Sequence, residues 1–138
     1  MNQQRNHKRR LIICCDGTWN KPEKECKDKD KILPCTNVLK TVRAIKSISE
    51  DEVDQVVYYE RGGFTGYGIK RNIEQAYRFL ANNYTKDDEI WCFGFSRGAY
   101  TVRSLMGLVN AIGLIPPSEM RNFTPIYEYF RKSGKQRK

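Results

Sequence analysis

The chain has 138 residues, 39% hydrophobic and 30% charged, with a formal net charge of +9. That length supports one domain, and the composition is that of a globular protein, not a disordered one. No apolar run approaches the roughly 18 residues of a membrane span, and no signal-peptide core follows the basic start, so a cytoplasmic location is expected.

In chain order, Leu11–Cys15 is a continuous apolar run, as a strand buried on both faces should be. Asp16-Gly17-Thr18-Trp19-Asn20 breaks it, and the lysine-rich residues 21–35, with Pro22 and Pro34, read as a mobile surface loop. Val38, Val42 and Ile45 then recur at helical spacing with Thr36 as N-cap. Gln55–Tyr59 is β-branched and aromatic, hence a second strand. After the glycine-rich residues 61–68, Ile69, Ile73, Ala76, Tyr77 and Leu80 mark a second helix. Its start resembles a capping box on Asn72 and Gln75. Glu89–Phe93 is the third strand. A helix on Val102, Leu105, Met106, Val109 and Ile112 follows, ending at Gly113. Phe123, Ile126, Tyr127 and Phe130 give a last partial helix. Strand–helix alternation of this kind implies an α/β fold: a three-stranded parallel sheet with flanking helices and right-handed crossovers, the Leu11 strand central.

Much of the positive charge lies in residues 5–10 and 131–138. Like-charge blocks at chain ends are usually solvated, so residues 1–10 and 131–138 are expected to be disordered tails around a domain at 11–130. Transient contact with an anionic membrane surface is left open by such tails. Base-specific nucleic-acid binding is not expected, because no zinc finger, helix-turn-helix or RNP-like pattern accompanies them. The five cysteines, Cys14, Cys15, Cys26, Cys35 and Cys92, form no CxxC pair. Neither a metal site nor a cofactor is therefore expected.

The chemistry lies in Gly94-Phe95-Ser96-Arg97-Gly98, a GxSxG pattern between a strand and a helix. In a nucleophile elbow the strand turns so sharply that its serine adopts strained backbone angles and projects beyond the sheet. Side chains at positions 94 and 98 would collide with the strand and helix, which requires glycine there. The Arg97 N–H then lies at a helix N-terminus, where it can stabilise an oxyanion. A second donor in this arrangement comes from the loop after an earlier strand, making Gly17 and Thr18 the candidates. An equally good reading of that loop is a tight turn in which Asp16 caps local amides.

These stretches, with Cys14–Asn20, Thr36-Asn37-Val38, residues 72–84 (NIEQAYRFLANNY) and GFSRGAYTVRSL at 94–105, resemble an uncharacterised α/β-hydrolase domain family that includes type VI secretion phospholipase effectors. The resemblance covers residues 9–117. It implies a Ser-Asp-His hydrolase of carboxylic esters, with phospholipids as substrates in the effector branch. The glycine-rich loop at 61–68 is shorter than the family's. After Ser96 the chain has no histidine and only Glu119 and Glu128 as acids, while its one histidine, His7, precedes the first strand. The triad order in this fold is Ser, then acid, then His. The chain thus resembles the N-terminal half of the domain, a partial α/β-hydrolase fold expected to hydrolyse little alone. The competing reading is a non-catalytic remnant or interaction module. In either case the edge of the third strand, around Ile90, Trp91 and Phe93, is expected to be open to self-association.

Two other readings fail on single residues. Asp16-Gly17-Thr18 is similar to the DxDGT start of haloacid-dehalogenase-like phosphatases, but Cys14 stands where their nucleophilic Asp must be. The glycine-rich loop is no phosphate loop, because Ile69 occupies the lysine position of GxxxxGK[ST].

Overall fold

The computed structural model describes residues 8–17, 35–62 and 66–135. Within them the order is β1 (Arg9–Cys15), α1 (Asn37–Ala44), β2 (Asp54–Glu60), α2 (Gly66–Asn83), β3 (Glu89–Gly94) and α3 (Arg97–Ile112). A 3-10 helix at Pro117–Asn122 then leads into α4 (Phe123–Lys135). The strands form one parallel sheet in the order β2-β1-β3, with β1 central as its unbroken apolar run requires.

Alternation along β1 feeds two cores. Leu11, Ile13 and Cys15 point to the larger one, shared with Ile73, Tyr77 and Leu80 of α2, Leu105 and Leu108 of α3, and Phe123 and Tyr127 of α4. Ile12 and Cys14 point the other way, to Val38 of α1 and to Val57 and Tyr59 of β2. Burial of these apolar faces contributes about 1.5–3 kcal/mol for each large side chain fully removed from water. Thr36 caps α1 as expected, its hydroxyl accepting from the Leu39 N–H at 3.1 Å. Gly113 ends α3 at φ 71°, its N–H bonded to the Val109 carbonyl.

Several expected boundaries move. Arg9 and Arg10, expected in the basic tail, do not stay outside the fold, because β1 begins at Arg9. The Arg9 N–H donates to Asp88 Oδ1 at 3.0 Å and its guanidinium to Asp88 Oδ2 at 2.7 Å, while Arg10 is held by Asp51 and Glu89. At the other end α4 runs to Lys135, so residues 131–135 are helical. The aromatic face at Phe123 and Tyr127 anchors that helix in the core. The capping box at Asn72 does not form. α2 starts at Gly66, and Asn72 lies inside the helix, 8% exposed. Ile69, which packs on the same core as Ile73, extends the apolar face backwards and carries the helix with it. The expected loop at 21–35 and residues 63–65 fall almost wholly outside the described residues.

Coverage of the sheet is uneven. α1 covers β1 and β2, but Trp91 and Phe93, on the same face of β3, remain 48% and 36% exposed. Ile90 does not share this exposure, because it faces the other way and packs against the larger core. Among the described residues no strand pairs with the outer edge of β3.

Candidate functional site

All three strands end at the same side of the sheet, and their ends are tied by backbone bonds. The Asp16 N–H donates to the Glu60 carbonyl at 2.8 Å, and the Phe95 N–H to the Cys15 carbonyl at 3.1 Å. From Gly94 the chain passes into α3 through only two residues, Phe95 and Ser96. A reversal that tight forces Ser96 to φ 54°, ψ −123°, a conformation that L residues avoid and that costs about 1–3 kcal/mol.

The two flanking glycines are needed for close approach. A Cβ on Gly98 would stand 2.0 Å from the Cys15 carbonyl oxygen, and one on Gly94 2.6 Å from the Gly98 carbonyl oxygen. The start of α3 is therefore seated directly on the last peptide of β1, with backbone on both sides of the contact.

Serine at a helix N-cap ordinarily uses its hydroxyl to accept from an amide of the first turn. Ser96 makes no such bond, and its side chain is exposed. The amides of Gly98 and Ala99 are taken by the carbonyls of Phe95 and Ser96. The Arg97 N–H carries no hydrogen bond among the described residues. An uncommitted hydroxyl thus stands next to an uncommitted amide, at the positive end of a 16-residue helix with no acid in its first turn.

Across from this turn lies the loop after β1. Asp16 is 1% exposed, and its carboxylate accepts from the Gly17 N–H at 2.8 Å, the Thr36 hydroxyl at 2.6 Å and the Tyr59 hydroxyl at 3.1 Å. At Gly17 the geometry is that of the capped turn, its amide directed into Asp16 rather than outward. Thr18 lies outside the described residues. Thr36 and Tyr59 are partners that the sequence pattern did not reveal. Tyr59 shares a face of the sheet with Cys14, its register partner, and burial and then Asp16 push its hydroxyl well above the usual phenol range.

Nearby thiols are poor competitors for Ser96. Burial pushes Cys15 up to about 12, and Cys14 and Cys92 up to about 11, so all three stay protonated at neutral pH. Among the described residues no group of His, Cys, Asp or Glu is arranged to hold a metal ion, and no single helix is long and apolar enough to cross a membrane. His7 lies outside the described residues.

The family model for the catalytic domain of type VI secretion phospholipase effectors, Tle1-like, matches residues 9–138. The chain is also 28% identical over 131 residues to the uncharacterized protein YEL023C of Saccharomyces cerevisiae. That match covers 76% of this chain and 18% of the yeast protein, so the chain spans about a fifth of the relative's length. No solved structure gives a significant match.

Proposed function

Since the chain belongs to the catalytic-domain family of Tle1-like type VI secretion phospholipase effectors, we propose that it carries the nucleophile of a serine hydrolase acting on lipid or phospholipid esters. The observation that supports this most directly is Ser96: strained, exposed, uncapped, and next to the free Arg97 amide at the start of α3. The reading is an elbow of the α/β-hydrolase type, placed where ligands bind in open parallel sheets, beyond the carboxyl ends of the strands.

In this mechanism the Ser96 oxygen attacks the ester carbonyl carbon while a general base takes its proton. The developing oxyanion is received by the Arg97 N–H, with the helix dipole behind it. Gly17 serves as second donor only if its amide leaves Asp16, which makes Thr18 the better candidate. Arg97 and Arg103 form no ion pair among the described residues and offer positive charge to an anionic headgroup. In the Ser-acid-His order of this fold the base is a histidine after the nucleophile, and none lies between Ser96 and Lys138. A serine hydroxyl without a base is a weak nucleophile. On this reading the base comes from further polypeptide, and the 138 residues alone hydrolyse little.

The experiment assays a short-chain aryl ester and a phospholipid with the 138-residue chain, its Ser96→Ala variant, and a longer polypeptide with the family's acid and histidine. Turnover by the longer form alone, lost on Ser96→Ala, is the expected result. Turnover that survives Ser96→Ala refutes the nucleophile assignment.

A further inference from the structure

We infer that Asp16 is a positioning residue for the Ser96 turn: its buried carboxylate gathers donors from three separate segments and fixes the Cys15–Asp16 peptide on which that turn is seated. A carboxylate taken from water is costly unless it is fully hydrogen-bonded, and an apolar residue would close the end of β1 without that cost. Asp16 is 1% exposed and accepts from its own turn at Gly17, from the N-cap of α1 at Thr36 and from β2 at Tyr59. Its N–H is held as well, by the Glu60 carbonyl.

The main chain that these bonds fix is the same main chain that touches the turn. The Cys15 carbonyl accepts from the Phe95 N–H, and a Cβ on Gly98 would meet Cys15 O at 2.0 Å and Asp16 O at 2.8 Å. On the opposite flank, a Cβ on Gly62 would meet Asp16 O at 2.6 Å. The main chain at 15–17 is thus wedged between the segment that follows β2 and the start of α3, with the Asp16 carboxylate holding its orientation from within. Strained conformations like that of Ser96 persist only where the surroundings over-determine them, and this hub is what surrounds it. The effect on catalysis rests on the proposed function; the mechanical coupling does not.

Native-state hydrogen exchange on the 138-residue chain tests the coupling without turnover. Asp16→Asn keeps the shape but replaces one acceptor oxygen with an NH2 donor, so the three donors of Gly17, Thr36 and Tyr59 no longer all find an acceptor. The Phe95 and Gly98 amides are expected to exchange about tenfold faster in Asp16→Asn and a few-fold faster in Tyr59→Phe, with Leu105 and Leu108 unchanged. Asp88→Asn, at the other end of the sheet, serves as a control that loosens the fold without this selectivity. If Asp16→Asn does not fold, Tyr59→Phe alone decides. Acceleration matching the pattern of Asp88→Asn, or none at 95–98, overturns the inference. In a longer polypeptide with Ser96-dependent turnover, Asp16→Asn is expected to lower kcat about tenfold with KM unchanged. An unchanged kcat refutes the positioning role, whereas turnover independent of Ser96 refutes the functional reading and leaves the exchange result standing.

Discussion

Replacing Gly98 with alanine is the sharpest test of how the Ser96 turn is built. The new Cβ would lie 2.0 Å from the Cys15 carbonyl oxygen and 2.4 Å from its carbon, against an ordinary contact of 3.4–4 Å. Both sides of that contact are backbone, so no side chain can rotate away. Either the end of β1 or the start of α3 must move by roughly 1 Å or more, in an interior packed as densely as a crystal. Overpacking commonly costs about 1–3 kcal/mol, and this contact belongs at or above the top of that range. For a domain of this size a loss of about 3 kcal/mol lowers Tm by roughly 10 °C. Two other glycines calibrate the result. Gly107→Ala meets only Phe130 Cζ at 3.6 Å, inside a helix where alanine is preferred, and should be neutral or gain about 0.5 kcal/mol. Gly113→Ala meets nothing within 4 Å but must hold φ +71° with ψ −159°, which costs about 1–3 kcal/mol. Urea unfolding of the three variants beside wild type gives the comparison. A Gly98→Ala cost no larger than that of Gly113→Ala would show that α3 is not seated on β1 in this way.

Ser96→Gly should raise stability by about 1 kcal/mol, because glycine adopts φ 54° without strain, while removing any Ser96-dependent turnover; a destabilised variant would refute the strain argument. Asp88→Asn should cost about 2 kcal/mol at pH 7, since it removes the charged partner of Arg9. Burial works against ionisation of Asp88, but the bonds from Arg9 and Thr85 win and hold its carboxyl below the usual range. The stabilisation is therefore present above that range and lost as pH falls through the lowered value, so the gap between wild type and variant should close in acid. A gap that stays constant to pH 2 in urea titrations would contradict it. The buried thiols act in the opposite direction: Cys14, Cys15 and Cys92 ionise near 8.5 when unfolded but only at about 11–12 when folded. Their contribution is intact below the unfolded value and lost as pH rises toward 12, so Cys15→Ala should flatten the alkaline limb of a stability–pH profile measured under reducing conditions.

The parts of the fold that were legible in the sequence are those set by local periodicity. The apolar run at 11–15 marks a central strand because both of its faces must be buried, and Thr36 and Gly113 mark helix ends through their own side-chain and backbone chemistry. What periodicity cannot reach is set by distant partners. Arg9 and Arg10 read as a solvated tail until Asp88, Glu89 and Asp51, some forty to eighty residues on, draw them into β1. Asn72 with Gln75 has the local form of a cap, and tertiary burial of Ile69 overrides it. The loop after β1 supports two readings in sequence for the same reason: Thr36 and Tyr59, which donate to the Asp16 carboxylate, lie 20 and 43 residues away. Trp91 and Phe93 are exposed as expected of an uncovered edge, because one face of β3 lacks the helix that α1 provides for its neighbours, whereas strand alternation turns Ile90, expected with them, into the larger core.

The two ends of the sheet differ in how their polar groups are partnered. At the end where the strands begin, charge is neutralised: Arg9 on Asp88, Arg10 on Asp51 and Glu89, Lys8 on Glu89, whose carboxyl these partners hold down to about 2. At the end where the strands finish there are close backbone contacts, protonated thiols and a strained serine whose hydroxyl and neighbouring amide are left unspent. A helix cap on Ser96 would have been the cheaper arrangement, worth about 1 kcal/mol. Leaving that bond unmade while holding the backbone at φ 54° costs stability twice at one residue. Such a cost persists where the surroundings over-determine the strained conformation, and it is the ground on which the proposed hydrolase reading rests on Ser96 rather than on the protonated, buried cysteines beside it.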